Sequence, residues 1–396
     1  MTDLAFVLHA YYSLVRVYLW SELGMLKKLA GMLAVSVTLS GCLAVVDKQG
    51  NEIATPKNIK YVVWKPPANK YFCSYRDAME KPDFFKVQIV EKDITGYGVH
   101  DPQRVAQNAI NLALNFGIAG DSSYDQELKS FLLRLAKADA WTFLNFDDSK
   151  RSGGSSPAFT SAHFLYPVTN AVLYLRDRNL LAEQDMSVLR DWGKKIAINS
   201  GGTADGRGAK LLDSQATAAA AMLGWGVATQ DNDLVIGGHE KLLRVISQMR
   251  SDGSFFESLA ANHQVIQPLV LAAAYAQYAN FDVLSYAPKD GKSVSDAVFL
   301  HGKKMAQNKH GRTFDCCGNK KDIYFRQPPH PDAHSRHTAF IPIFMHLYEK
   351  RPDFRAASIS DFLIIDNDIF DRRKSYRGPS AGGYSACFWG PTRSLR

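Results

Sequence analysis

The chain has 396 residues, 46% hydrophobic and 22% charged, a make-up that fits an ordinary globular protein and excludes a disordered one. Its formal net charge is +8, from 47 Lys and Arg against 39 Asp and Glu. An excess of that size points to an anionic partner.

The first informative stretch runs from Met25 to Cys42, MLKKLAGMLAVSVTLSGC. Lys27 and Lys28 make a charged start, Leu29 to Leu39 a short apolar run, and Leu39-Ser40-Gly41-Cys42 a small-residue cleavage site ending in a cysteine. The run falls short of the ~20 apolar residues that span a bilayer, so it reads as a processed signal. The pattern is that of a bacterial lipoprotein signal, with Cys42 as the lipidation site. Met25 is then the expected start, and residues 1–41 are expected to be removed. In lipoproteins, Leu43 in place of Asp after the cysteine implies delivery to the outer membrane. The expected location is its periplasmic face, lipid-anchored in the membrane through Cys42. The removed segment holds three basic residues against two acidic ones, which leaves +7 on the remaining 355 residues. For an exported protein that charge suits an acidic polysaccharide or anionic lipid, and nucleic acid is not expected as a partner.

Four further cysteines, Cys73, Cys316, Cys317 and Cys387, would lie in an oxidising compartment. Cys316 and Cys317 would reach Cys73 and Cys387 rather than each other, in an order that spacing leaves open. Residues 42–70 are polar, carry Pro56, Pro66 and Pro67, and read as a tether before a single domain over 71–396.

From about 100 the chain is a succession of amphipathic helix patterns. Asp101-Pro102 opens the first in the N-cap and N1 manner. Others are expected over Asp125 to Phe143, Pro157 to Arg176, Glu183 to Ile198, Ser214 to Thr229, Leu234 to Arg250 and Asn262 to Ala279. Ala216 to Ala221, with Gly224 and Gly226, are small enough to let neighbours approach closely, so that helix should be central. After about 300 the pattern weakens to one more helix, Thr338 to Tyr348, and short strands at Phe362 to Phe370 and Tyr384 to Trp389. With no βα alternation, the reading is an all-α array of antiparallel helices, a bundle, solenoid or toroid.

DSQATAAAAMLGWGVAT at 213–229, followed by QMRSDGSFFESLAANHQVIQPLVLAAAYAQYANFDV at 248–283, resembles the core of the alginate-lyase family of polysaccharide lyases. Asp252-Gly253 and Glu257 match that family's DG…E stretch, and Thr338 to Tyr348 resembles its late helix. The resemblance implies an incomplete α/α toroid with a groove for an acidic glycan. It also shows departures. Leu212, Asp213 and Ser214 stand where the family has Asn-Asn-His; Ala260 replaces its arginine and Gln267 its catalytic tyrosine.

A uronate lyase must neutralise the carboxylate, remove the α-proton and protonate the leaving oxygen. His263, one turn before Gln267 on the same helix face, is the expected base, with Gln215 or Gln267 polarising the carboxylate. Asn262 opens the same helix and is a further substrate contact. Tyr97, in the glycine-flanked loop ITGYGVHDP, is a candidate acid or stacking platform. His163 and Tyr166 share a helix face where the family places groove residues. The run His330 to His337 offers Arg336, with His334 and His337, to hold a carboxylate; Pro328, Pro329 and Pro331 make this stretch a loop in which metal-ligand geometry is not implied, and neither metal nor cofactor is expected.

The expectation is a monomeric, exported lyase that cleaves an acidic polysaccharide by β-elimination, a uronate or amino-uronate polymer such as a capsular galactosaminuronan. The rivals are a non-catalytic glycan-binding lipoprotein of capsule export, an alginate lyase proper, and a glycoside hydrolase using Asp213 and Glu257.

Overall fold

A computed structural model divides the chain into two units, Met1–Leu43 and Ala44–Arg396. The structure describes residues 44–54, 56, 59–62, 81–89, 92–94, 102–144, 157–201, 212–255, 259–309, 339–351, 377–378, 383–384 and 388, all within the second unit. Among these the helices are α1 (Pro102–Ile118), α2 (Asp125–Lys137), α3 (Pro157–Asp177), α4 (Glu183–Gly201), α5 (Leu212–Thr229), α6 (Asn232–Ile246), α7 (Leu259–Ala276), α8 (Val294–Lys309) and α9 (Phe340–Glu349).

The odd-numbered helices pack on one another in series, α1 on α3, α3 on α5, α5 on α7 and α7 on α9, and the even-numbered ones lie against them. The result is a two-layer α/α toroid. Apolar spacing explains which helix enters which layer. In α2 the buried residues Leu128, Phe131, Leu132 and Leu135 form one stripe, as an outer helix requires. In α3 and α5 burial continues round the whole helix, which only an inner position allows. The alanine-rich α5 is central, as expected: it touches α3, α4, α6 and α7. A Cβ on Gly224 would lie 2.6 Å from the Tyr275 ring, so glycine is what lets α7 approach there.

Five of the helical segments stop in one way. The residue at Gly120, Asp139, Asn179, Gln230 or Asn280 takes a left-handed φ. The amide after it then bonds back five residues, as in Asp121 N to Phe116 O and Phe281 N to Ala276 O. This ends α2 at Lys137, short of the expected Phe143, because Asp139 turns left-handed and Trp141 follows with φ 55°. Each stop reverses the chain and keeps the odd-numbered helices running in one direction. Two contacts confirm that direction: Tyr166 of α3 meets Thr217 of α5, and a turn further on Asn170 of α3 meets Tyr275 of α7, which lies over Gly224 of α5.

A train of aromatic rings ties four segments together. Trp141, Phe164, Trp192 and Trp225 follow edge to face, with centroids 4.9, 6.1 and 6.5 Å apart.

The described part of the expected tether is not a free leash. Val45–Val46 (β1) pairs antiparallel with Ala287–Pro288 (β4). Further on, Tyr61 Oη donates to Asn232 Oδ1 at 2.8 Å and Val62 N to Tyr278 O at 2.9 Å. The described residues between 44 and 62 therefore form a strap over the turn that follows α7 and the start of α6. Its apolar members, Val45, Ile53, Ile59 and Tyr61, are spaced too irregularly among polar residues to announce an element.

The remaining strands are short. Asp93–Ile94 (β2) runs parallel to Phe143–Leu144 (β3). Near the C-terminus Arg377–Gly378 (β5) pairs with Gly383–Tyr384 (β6), where the expected strand began at Tyr384; Phe388 is helical and buried instead. The stretch 362–370 lies outside the described residues. No helix among the described residues is long and apolar enough to cross a membrane.

Candidate active site

Because α3, α5 and α7 run the same way, their first turns lie at one end of the inner layer. His163 is the seventh residue of α3, Gln215 the fourth of α5 and His263 the fifth of α7. Three residues singled out from sequence are thus gathered at one end of the toroid by the direction of their helices.

The start of α7 is pinned by the turn before it. Asp252 Oδ1 accepts from Ser254 N at 2.8 Å and Ser254 Oγ at 2.7 Å, Gly253 takes φ 92°, and Ser254 O accepts from Arg250 N. Phe255 N then donates to Asn262 Oδ1 at 2.9 Å. Asn262 therefore spends that oxygen on orienting the helix, a duty different from the substrate contact expected of it. One residue later His263 points inward.

His263, Gln267 and His301 are each at most 3% exposed. His263 Nε2 is hydrogen-bonded by Gln267 Nε2, one turn on in α7. Its other ring nitrogen, Nδ1, lies 3.4 Å from Nε2 of His301 on α8. The two imidazole planes differ by 25° with centroids 5.5 Å apart, so the rings meet edge to edge and nearly coplanar. Phe340, at the start of α9, packs obliquely on both, 6.2 Å from His263 and 5.9 Å from His301. Gln267 Oε1 is buried and has no hydrogen-bond partner among the described residues. Pro268 follows directly; it cannot donate to the carbonyl of Gln264, which loosens the helix beside this cluster.

The second histidine cluster is different. His163 is buried against Phe159, 4.1 Å away, and Tyr166, 5.7 Å away. Burial alone drives its pKa down to about 3, so the ring is neutral. Tyr166 is wholly buried, and its hydroxyl donates to Thr217 O at 2.8 Å. Its hydroxyl therefore clamps α3 to α5 and is not presented to a ligand, contrary to the substrate contact expected of it. Gln215 is half-buried in the first turn of α5. Asp213, beside it, accepts from Ser214 N at 2.6 Å.

Tyr97, Glu257, His334, Arg336, His337 and Cys42 lie outside the described residues. Among the described residues no group of three or more His, Cys, Asp and Glu could hold a metal ion. His301 was not singled out from sequence. It sits in a helix, α8, that the fading periodicity after residue 300 also failed to announce, and a lone histidine carries no spacing signal.

The family model for alginate lyase matches residues 98–310, more than half of the chain. The chain belongs to the alginate lyase family. Solved structures agree on the fold. A histidine-to-alanine variant of alginate lyase A1-III from Sphingomonas species A1, complexed with a tetrasaccharide, is 14% identical, with a TM-score of 0.54 over 83% of this chain and 96% of that one. A tyrosine-to-phenylalanine variant of that enzyme, also with a tetrasaccharide, gives 13% and 0.56 over the same shares. An alginate lyase from Bacteroides ovatus gives 10% and 0.50, covering 83% of this chain and 93% of that one. A comparison with curated protein sequences finds no significant match. The matched segment spans α1 to α8 and so includes every member of the His263–Gln267–His301 cluster except Phe340.

Proposed function

We propose that this alginate-lyase family member cleaves an acidic polysaccharide by β-elimination, with His263 as base and Gln267 as the group that engages the uronate carboxylate. Family and fold support a polysaccharide lyase. The observation that carries the assignment of residues is the Gln267 amide, which holds the imidazole of His263 with one atom and keeps its other atom buried without a protein partner. Such a group is costly to leave unsatisfied, by about 1–3 kcal/mol, and a ligand hydroxyl donating to that amide oxygen relieves the cost.

The steps balance without a cofactor. The amide N–H groups of Gln267 bind the uronate carboxylate in a charge-assisted hydrogen bond and disperse the charge that develops on it. His263 Nε2 removes the proton from the carbon bearing that carboxylate. The electron pair forms the ring double bond, the glycosidic C–O bond breaks, and the leaving oxygen takes a proton from an acid, for which Tyr97 is the candidate. Gln215, in the first turn of α5, serves in this reading as a second amide for the carboxylate.

The polymer is a uronate or amino-uronate chain such as a capsular galactosaminuronan. Support comes from the net charge of +8 and from the substitutions Ser214, Ala260 and Gln267 where alginate lyases carry His, Arg and Tyr. A different stereochemistry about the ring would call for acid and base in new places. The protein acts as a monomer in the periplasm, anchored in the outer membrane through lipid on Cys42.

Incubating the purified protein with alginate, galactosaminuronan and other polyuronates, and following the ultraviolet absorbance of the unsaturated uronate, tests the proposal. Product from one polymer is expected, and none from the His263→Ala variant. The replaced positions also favour a second reading, a glycan-binding lipoprotein. Binding of a polyuronate with no absorbance rise would decide for it.

A further inference from the structure

We infer that His301 is a positioning residue that fixes the tautomer of His263. It accepts the Nδ1 proton of His263 and so leaves the basic lone pair on Nε2, the nitrogen facing Gln267. The description of His263 as the base rests on the lyase reading above; the hydrogen bond itself does not.

The geometry allows two tautomeric arrangements of the three groups, and their costs differ. In the first, the Gln267 amide nitrogen donates to His263 Nε2, His263 carries its proton on Nδ1, and that proton points at His301 Nε2, 3.4 Å away. The atom left over is Gln267 Oε1. In the second, the amide is reversed, His263 Nε2–H donates to Gln267 Oε1, and His301 Nε2–H donates to His263 Nδ1. The group left over is then an amide NH₂ with two donors. A buried carbonyl oxygen without a partner is tolerated more readily than a buried donor, so the first arrangement holds. The edge-to-edge meeting of the rings keeps the Nδ1 proton in the plane of the accepting lone pair, and Phe340 against both rings holds them there.

In this arrangement the base is capped at rest. Gln267 covers the Nε2 lone pair of His263 until a carboxylate arrives. A carboxylate is a stronger acceptor for an amide N–H than an imidazole nitrogen, so it draws the amide away and bares the lone pair. His301 meanwhile keeps the Nδ1 proton in place, and the ring cannot present N–H where the reaction needs a base.

Long-range ¹H–¹⁵N correlation spectra of the full protein with ¹⁵N-labelled histidine read the protonation site of His263 directly. The wild type is expected to show the proton on Nδ1. His301→Leu should move it to Nε2, whereas His301→Gln, whose amide oxygen can accept at the same place, should keep it on Nδ1. In turnover, His301→Leu should lower kcat by tenfold or more, approaching the ~10²-fold expected for a misplaced general base, with KM little changed, and His301→Gln should restore part of it. A wild-type His263 protonated on Nε2, or an unchanged pattern in His301→Leu, overturns the inference even if the protein is an active lyase. The expected tautomers with no polyuronate cleaved would leave the His301 contact standing and remove the lyase reading.

Discussion

His163 and His263 sit on parallel inner helices, both near the start of the helix and both buried, yet their surroundings differ. His163 faces Phe159 and Tyr166, and its burial holds it neutral with a pKa of about 3. His263 has an imidazole at one ring nitrogen and an amide at the other. A proton on His163 would be driven off by burial. Burial is common to both histidines; what sets His263 apart in the proposal above is the amide and the second imidazole at its ring nitrogens.

The largest expected effect sets the two histidines apart. His263→Ala should lower kcat by the ~10²–10⁴-fold typical of losing a general base, and Gln267→Leu should come close to it. His163→Phe should stay well under the ~10²-fold loss that begins that range. Steady-state kinetics on whichever polyuronate is cleaved, with circular dichroism to check folding, measures all three. Comparable losses at both histidines would erase the distinction.

A second test uses acid. His163 and His346 are held at about 3 and His239 at about 4, against an ordinary 6.5, chiefly by burial and at His346 also by the Lys350 ammonium beside it. Each folded-state pKa lies below the unfolded one, so below pH 6.5 the unfolded chain binds protons that the folded protein refuses. Stability is therefore full above about 6.5 and falls with pH from there, through about 4 for His239 and about 3 for the others. The slope is about 1.4 kcal/mol per pH unit for each histidine. Denaturant midpoints at pH 6, 5 and 4 should show the slope shrinking by one such share in His163→Phe. A variant with the wild-type slope would mean that His163 is protonated in the folded protein.

Much of the scaffold could be read in the chain itself, and the losses have physical causes. The boundaries of α3 to α7 follow from apolar spacing, because each helix buries a continuous stripe or its whole circumference. The stops were harder to see. Of the five left-handed terminators, Gly120 alone is a glycine; Asp139, Asn179, Gln230 and Asn280 adopt the same φ with side chains that give weaker notice. The strap escaped notice because its register is set by β4, more than two hundred residues away. In the site, His263 and Gln267 were legible because they share a helix face within a recognisable motif. His301 was not: its partnership is tertiary, made by α8 packing on α7.

The smallest expected effect sharpens the comparison from the other side. Tyr166 stands three residues after His163 and looks, by sequence, like a groove residue; in the structure its hydroxyl meets the carbonyl of Thr217 at 2.8 Å with no exposure. Tyr166→Phe keeps the ring and removes one buried O–H···O bond. The carbonyl of Thr217 lies within α5 and keeps its helical partner, so the loss should be that of an ordinary hydrogen bond, about 1 kcal/mol. Turnover should not change, since the clamp joins two inner helices whose other contacts, Arg176 Nη1 to Val227 O and Ala228 O among them, persist. A stability loss near that size with unaltered kcat assigns the α3 cluster to the scaffold. A fall in kcat/KM without a fall in stability would instead place the Tyr166 hydroxyl on the glycan and extend the site from α7 across to α3.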